Sequence, residues 1–144
     1  MAIPFTYREM ARAWRVNLSA SERTGRNNAL RLLLFYAVEC GLKAVIMKRC
    51  SAKRTDSCPE IGTAQHNINK LLDVVSVNGQ LRLPHRIQMC DLVGSGNSSE
   101  RRELNAGQIN QMWRYGGQSA SAETDDILEE KLLQISEWIK RELR

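Results

Sequence analysis

Between Leu33 and Met47 the apolar positions run almost unbroken, and the charges inside the run are Glu39 and Lys43. Their i, i+4 spacing puts acid and base on neighbouring turns of one helix face, in the favourable acid-before-base order. Both charges, and a stretch shorter than the ~20 residues a bilayer needs, argue against a membrane span. The pattern predicts a buried helix with one polar stripe, capped by Asn27 or Asn28 and ending near Cys50. Upstream, Tyr7, Met10, Ala11, Trp14 and Leu18 recur at i, i+3/i+4 steps, which predicts a first helix over about Thr6 to Ser21. The polar run Ser19–Gly25 separates the two.

Helical periodicity continues downstream, and no alternating strand stands out. Residues 51–62 are polar, contain Pro59 and Gly62, and read as a loop. Thr63 is the expected cap of a third helix with Ile68, Leu71, Leu72 and Val75 as its apolar stripe, closed by a turn at Asn78-Gly79. Pro84 suits a helix's first turn, ahead of Ile87, Met89 and Leu92 in a short segment. Gly94–Ser99 reads as flexible. A helix is expected over about Glu100 to Tyr115, ended by Gly116-Gly117, and a last one capped by Thr124. Ile127, Leu128, Leu132, Ile135, Trp138, Ile139 and Leu143 supply the core face of that last helix. With no internal repeat, the expected fold is all-α: one antiparallel bundle of four or five helices in a single domain over 1–144.

Composition agrees with a soluble globular chain, with 42% apolar and 26% charged residues and 3 prolines in 144. The first residues lack a signal-peptide pattern, so a cytoplasmic location is the expectation. Cysteines at 40, 50, 58 and 90 have no metal-site spacing, and His66 and His85 no paired-histidine spacing. No metal, cofactor or disulfide is therefore expected. Trp14, Trp113 and Trp138 fall at core spacing. Charge changes the picture more. Residues 1–54 hold 11 Lys/Arg against 3 Asp/Glu, residues 55–122 balance at 6 and 6, and residues 123–144 hold 4 against 7. A basic half beside an acidic end suggests polyanion contact or self-complementary assembly.

Three patches carry a family likeness. Phe35-Tyr-Ala-Val-Glu-Cys-Gly-Leu-Lys-Ala-Val45 lies in the long helix, Gln65-His-Asn-Ile-Asn-Lys-Leu-Leu-Asp73 follows the variable loop, and Leu104-Asn-Ala-Gly-Gln-Ile-Asn-Gln-Met-Trp-Arg-Tyr-Gly-Gly117 precedes the last helix. In this order they resemble HEPN domains, helical modules named for their occurrence in higher eukaryotes and prokaryotes. The second patch is similar to that family's His-x-Leu-x-x-Leu segment and the third to its Arg-Tyr before the final helix. The resemblance covers about residues 27–144, with the helix at about 6–21 as an addition. It implies a helical bundle, pairing into oligomers, and a setting in toxin–antitoxin or phage-defence assemblies. Nuclease members carry an arginine followed after four to six residues by a histidine, and cleave RNA across a dimer without metal. Counting from Arg114, those positions hold Ser119, Ala120 and Ser121. A serine cannot exchange a proton as imidazole does near neutral pH, so the usual nuclease chemistry is not expected.

The candidate residues follow from this. Arg114, beside the open amides of a Gly116-Gly117 turn, suits an anion, or else pairs with an acid such as Glu39. Glu39 and Lys43 either line a nucleotide pocket or form an edge ion pair worth about 0.2–0.5 kcal/mol. His66 reads as a cap or core contact, and His85 has no partner that the sequence identifies. Arg8, Arg12 and Arg15 share one helix face, and Arg23, Arg26, Lys48, Arg49, Lys53 and Arg54 crowd the bundle's loops; such a stripe contacts phosphates without reading bases, and Arg8, Arg12, Arg15, Lys48, Arg49 and Arg114 are the candidates for anion binding. The expected function is a non-catalytic HEPN-like binding module contacting RNA or a nucleotide, or a helical subunit of a larger assembly, as a homo-oligomer or with a helical protein partner. Two alternatives stay open: a divergent metal-independent ribonuclease using Arg114 with His66 or His85, and a helical small subunit of a nucleoprotein complex using the Arg8, Arg12 and Arg15 face.

Overall fold

Two side chains fix the start of the first helix. Thr6 Oγ1 accepts from the Glu9 amide at 3.2 Å, and the Glu9 carboxylate accepts from the Thr6 amide at 3.0 Å. This reciprocal cap satisfies two amides that the helix leaves open. Helix α1 runs Tyr7–Ser21 from there. The structure is a computed structural model that describes residues 3–23, 26–77, 79–94, 96 and 98–144. Helix α2 spans Asn28–Arg49, its first turn capped by Asn27, whose side-chain oxygen accepts from the Leu30 amide at 2.9 Å. Four further helices follow among the described residues: α3 Pro59–Ala64, α4 Ile68–Val74, α5 Ile109–Arg114 and α6 Ala122–Glu142.

Helix α2 is the axis of the fold. Leu34, Phe35, Ala37, Val38, Leu42, Ala44 and Met47 are wholly buried, so apolar side chains leave it in nearly every direction, as expected of a helix surrounded by others. Helices α1, α4, α5 and α6 all pack on it. Gly41 sets how closely two of them approach. A Cβ at that position would come within 2.8 Å of Ile139 on α6 and 2.9 Å of Trp14 on α1. Phe35 meets Trp113 of α5 edge to face, with centroids 6.5 Å apart, an arrangement that suits the ring quadrupoles.

The expectation of an all-α chain is corrected between residues 86 and 105. Strand β1, Arg86–Gln88, pairs antiparallel with β4, Glu103–Asn105, and β2, Leu92–Val93, pairs with β3, Ser99–Glu100. The fold is mostly helical with two small antiparallel sheets. Ile87 and Met89 are buried while Arg86 and Gln88 are exposed, a period-two pattern too short to compete with the helical reading. Ile87 lies opposite Leu104 in the register. The helix expected from Glu100 therefore starts only at Ile109, after a 3₁₀ turn at Ala106–Gln108. Gly116 follows α5 with φ +74°, the left-handed conformation that glycine adopts without a Cβ penalty.

Other boundaries also move. Residues 51–62 hold a 3₁₀ turn at Thr55–Ser57 and the first turns of α3, which Pro59 begins; its missing amide has no helical partner to lose there. Thr63 sits inside α3, and Asn67 caps α4 instead, accepting from the Lys70 amide at 3.2 Å. Thr124 lies within the first turn of α6, whose cap position is Ser121. The expected turn at Asn78-Gly79 and the pieces at Ser19–Gly25 and Gly94–Ser99 lie partly outside the described residues. Among the described residues no helix is long and apolar enough to cross a membrane.

Candidate functional site

The polar stripe of α2 is closed by His66, which lies 27 residues from Glu39 along the chain. Glu39 is only 6% exposed. One of its carboxylate oxygens accepts from Lys43 Nζ at 2.9 Å, and the other lies 2.9 Å from His66 Nδ1. A buried carboxylate with both oxygens held costs far less than an unpaired one. His66 reaches it because α3 stops abruptly at Gln65, whose φ is +50°, a left-handed conformation rare for a residue with a side chain. Arg114, the other partner weighed for Glu39, is elsewhere. It is exposed, with its guanidinium 5.6 Å from the ring centre of its neighbour Tyr115.

Beside Glu39 and Lys43, the α1–α2 seam opens into a groove of about 630 Å³ lined by Phe5, Met10, Val16 and Cys40 and rimmed by Arg12. Burial pushes the Cys40 thiol up to about 11, the Glu39 charge adds to this, and Lys43 opposes it. A proton held that firmly makes Cys40 a poor nucleophile at neutral pH. Among the described residues no group of three or more His, Cys, Asp or Glu is placed to hold a metal ion.

The chain's charge asymmetry is partly neutralised inside the fold. Arg26 pairs with Glu129, Arg31 with Asp126 at 3.0 Å, and Arg49 with Glu142 at 3.3 Å, so three cations from the basic half meet acids of α6. Arg49 also donates to the Val75 carbonyl at 2.7 Å and lies 5.6 Å from the Trp138 ring centre. Arg54 pairs with Asp56 at 2.7 Å. Arg26, Arg31 and Arg49 thus link the basic half to α6, whereas the Arg54 pair is local and exposed.

Arg8, Arg12, Arg15 and Lys53 are different. All four are exposed and make no ion pair among the described residues, although the charge of Arg12 acts on Glu9. Local pairing gathers two of them. The Tyr7 amide donates to the Lys53 carbonyl at 3.1 Å, the Thr55 amide to the Phe5 carbonyl at 2.8 Å, and Thr6 bridges Arg54. These bonds lay the start of α1 along the loop after α2. The result is a groove of about 580 Å³ with Tyr7, Arg8, Met47, Lys48 and Lys53 in its walls and no carboxylate among its lining residues. Lys48 Nζ also donates to the backbone oxygens of Glu142 at 2.9 Å and Arg144 at 3.2 Å, which fixes its ammonium near the end of α6. Arg8 and Lys53, without a counter-charge among the described residues, create the positive potential that attracts a polyanion, while Lys48 is already engaged.

Of the residues expected from sequence to meet an anion, Arg8, Arg12, Arg15, Lys48, Arg49 and Arg114, the fold brings Arg8 and Lys48 to one groove and ties Arg49 to Glu142, Val75 and Trp138 instead. Tyr7 and Lys53 join that groove through the bond between the Tyr7 amide and the Lys53 carbonyl, a contact between distant segments that no local pattern marks. His66 and Glu39 come together, whereas Arg114 joins neither of them nor the basic groove. No protein-family profile, no curated protein and no solved structure matches this chain.

Proposed function

We propose that this chain is a non-catalytic, HEPN-like helical module that binds single-stranded RNA through its phosphates. The observation that carries this reading is the groove of Arg8, Lys48 and Lys53, which has three cations and no carboxylate in its lining. Arg12 and Arg15 extend the positive face along α1 at i, i+4, i+7 from Arg8. Such an array follows a phosphate backbone and leaves the bases unread. The missing histidine after Arg114 supports binding over cleavage. The resemblance adds an oligomeric bundle within a toxin–antitoxin or phage-defence assembly, which identifying the proteins and nucleic acids that co-purify from the native host would test.

The direct experiment is fluorescence anisotropy with a labelled single-stranded RNA across a salt series. Four phosphate contacts give a slope of about −3 in log K against log salt. Binding that hardly changes with salt contradicts the proposal, as does unaltered affinity in an Arg8→Glu/Lys53→Glu variant.

A further inference from the structure

Two cysteines meet where the chain turns back between α2 and α3. Cys50 is the residue on which α2 ends, and Cys58 the one from which α3 begins. The chain leaves α2 through Ser51, whose φ is +52°. The Ser51 amide donates to the Lys48 carbonyl at 3.3 Å and the Ala52 amide to the Met47 carbonyl at 2.9 Å, the paired closure that turns a chain sharply off a helix end. The 3₁₀ turn Thr55–Ser57 then brings it back, with the Cys58 amide donating to the Thr55 carbonyl at 3.1 Å. Ala52 and Cys58 both pack on the core. Across this reversal the Cys50 side chain is hydrogen-bonded to the Cys58 thiol.

The two thiols differ in access. Cys50 is exposed and Cys58 is buried. Burial raises the Cys58 thiol above its ordinary range, and the charge and hydrogen bond of Cys50 add to this. The other two cysteines are engaged elsewhere, Cys40 beside Glu39 and Lys43, and Cys90 donating to the Ser119 carbonyl at 3.3 Å. The segment between Cys50 and Cys58 holds the start of α1 in place. The Lys53 carbonyl accepts from the Tyr7 amide, and Thr55 bonds Phe5 twice, its amide donating at 2.8 Å and its Oγ1 accepting at 2.9 Å.

We propose that Cys50 and Cys58 are a dithiol that a hydroperoxide converts to a disulfide, closing residues 51–57 into a loop that pins the start of α1. The exposed Cys50 sulfur, as thiolate, attacks the hydroperoxide; the O–O bond breaks, and the alkoxide or hydroxide that leaves takes up a proton. Cys50 is then a sulfenic acid. The Cys58 sulfur attacks that sulfur, the S–O bond breaks, and the departing hydroxide leaves as water with the Cys58 proton. Two thiols lose two electrons, and the hydroperoxide is reduced to an alcohol, or to water, with one further water. A small dithiol reverses the bond by exchange. The burial of Cys58 fits the resolving role and the exposure of Cys50 the attacking one. None of this depends on the RNA reading.

The test uses hydrogen peroxide on the full chain, with remaining thiols then blocked, followed by denaturing, non-reducing tryptic digestion and mass spectrometry. Cleavage after Arg49, Lys53 and Arg54 puts the two cysteines on separate peptides. The disulfide therefore appears as the 50–53 peptide joined to the 55–70 peptide, lighter by two hydrogens than their sum and parted by dithiothreitol. Cys50→Ser, a change at an exposed position, should form no link and leave Cys58 a thiol. In Cys58→Ser the sulfenic acid has no partner, so dimedone should label Cys50 roughly fivefold more than in the unaltered chain. Cleavage of the native protein after Lys53 should slow roughly fivefold on oxidation, because the cross-link resists opening of the loop, and should not change in Cys50→Ser. Passage of Cys50 to sulfinic acid without the link, a link from Cys50 to Cys40 or Cys90, or an unchanged cleavage rate overturns the proposal.

Discussion

Glu39 Oε1 and His66 Nδ1 stand 2.9 Å apart across a sequence separation of 27 residues, tying the middle of the central helix to the break between α3 and α4. The carboxylate is buried while the imidazole is about half exposed, with 54% of its side chain accessible, so the two ends of the contact are not equivalent.

Removing the buried end should therefore cost more. Glu39→Ala leaves Lys43 without its partner in a largely buried position and is expected to destabilise the fold by about 3 kcal/mol, whereas His66→Ala loses one hydrogen bond and about 1 kcal/mol. Urea denaturation of the two variants checks the order. A His66 variant as damaging as the Glu39 variant contradicts this account.

Gly41 gives a test of packing. Alanine normally favours a helix interior by about 1 kcal/mol over glycine. Here the added methyl meets Ile139 at 2.8 Å and Trp14 at 2.9 Å, so Gly41→Ala is expected to destabilise by about 1–3 kcal/mol. A rise in the denaturation midpoint would show that α1 and α6 yield freely.

The helices that carry most of the core were legible because their signals are local. Thr6 with Glu9, and Asn27 before an apolar run, mark the starts of α1 and α2 within four residues of sequence. The period of Leu128, Leu132, Ile135 and Ile139 does the same for α6. Strands β1 and β4 were not legible, because Ile87 and Leu104 face each other only once the chain between them has turned back. Asn67 outcompetes Thr63 as a cap because Pro59 starts α3 early and places Thr63 inside it. The candidate sites divide in the same way. The Glu39 and Lys43 pair follows from helix spacing, while His66, Tyr7 and Lys53 reach their places through contacts between distant segments.

Cysteine chemistry gives an independent check on burial. Cys50 and Cys90 are exposed, and Cys58 is buried with its thiol raised first by that burial. Cys40 titrates at about 11 for the same leading reason. The thiolate is the reactive form, so at pH 8 iodoacetamide should label Cys50 and Cys90 first. Labelling of Cys40 should quicken as pH climbs toward 11. Mass spectrometry of a time course reads the order, and Cys40 reacting as fast as Cys90 would contradict the burial seen here.

The ion pairs between the basic half and α6 predict a separation of roles among the arginines. Arg49→Ala removes the Val75 carbonyl bond, the Glu142 pair and the contact with the Trp138 ring, and should lower stability by about 1–2 kcal/mol with little direct effect on RNA affinity. Arg15→Ala should leave stability within about 0.5 kcal/mol, as expected for an exposed residue without a partner. Thermal denaturation paired with anisotropy separates the two classes. Equal stability losses would show that the exposed arginines have partners in the fold.

The central claim is that Arg8 and Lys53 meet phosphates, and the salt dependence of RNA binding tests it most directly. Anisotropy across a potassium chloride series should give a slope near −3 in log K against log salt for the unaltered chain, and about −1.5 for Arg8→Ala/Lys53→Ala, since each lost phosphate contact on a single strand removes about 0.7. An unchanged slope in the double variant, or no measurable binding by the unaltered chain at low salt, would contradict the account.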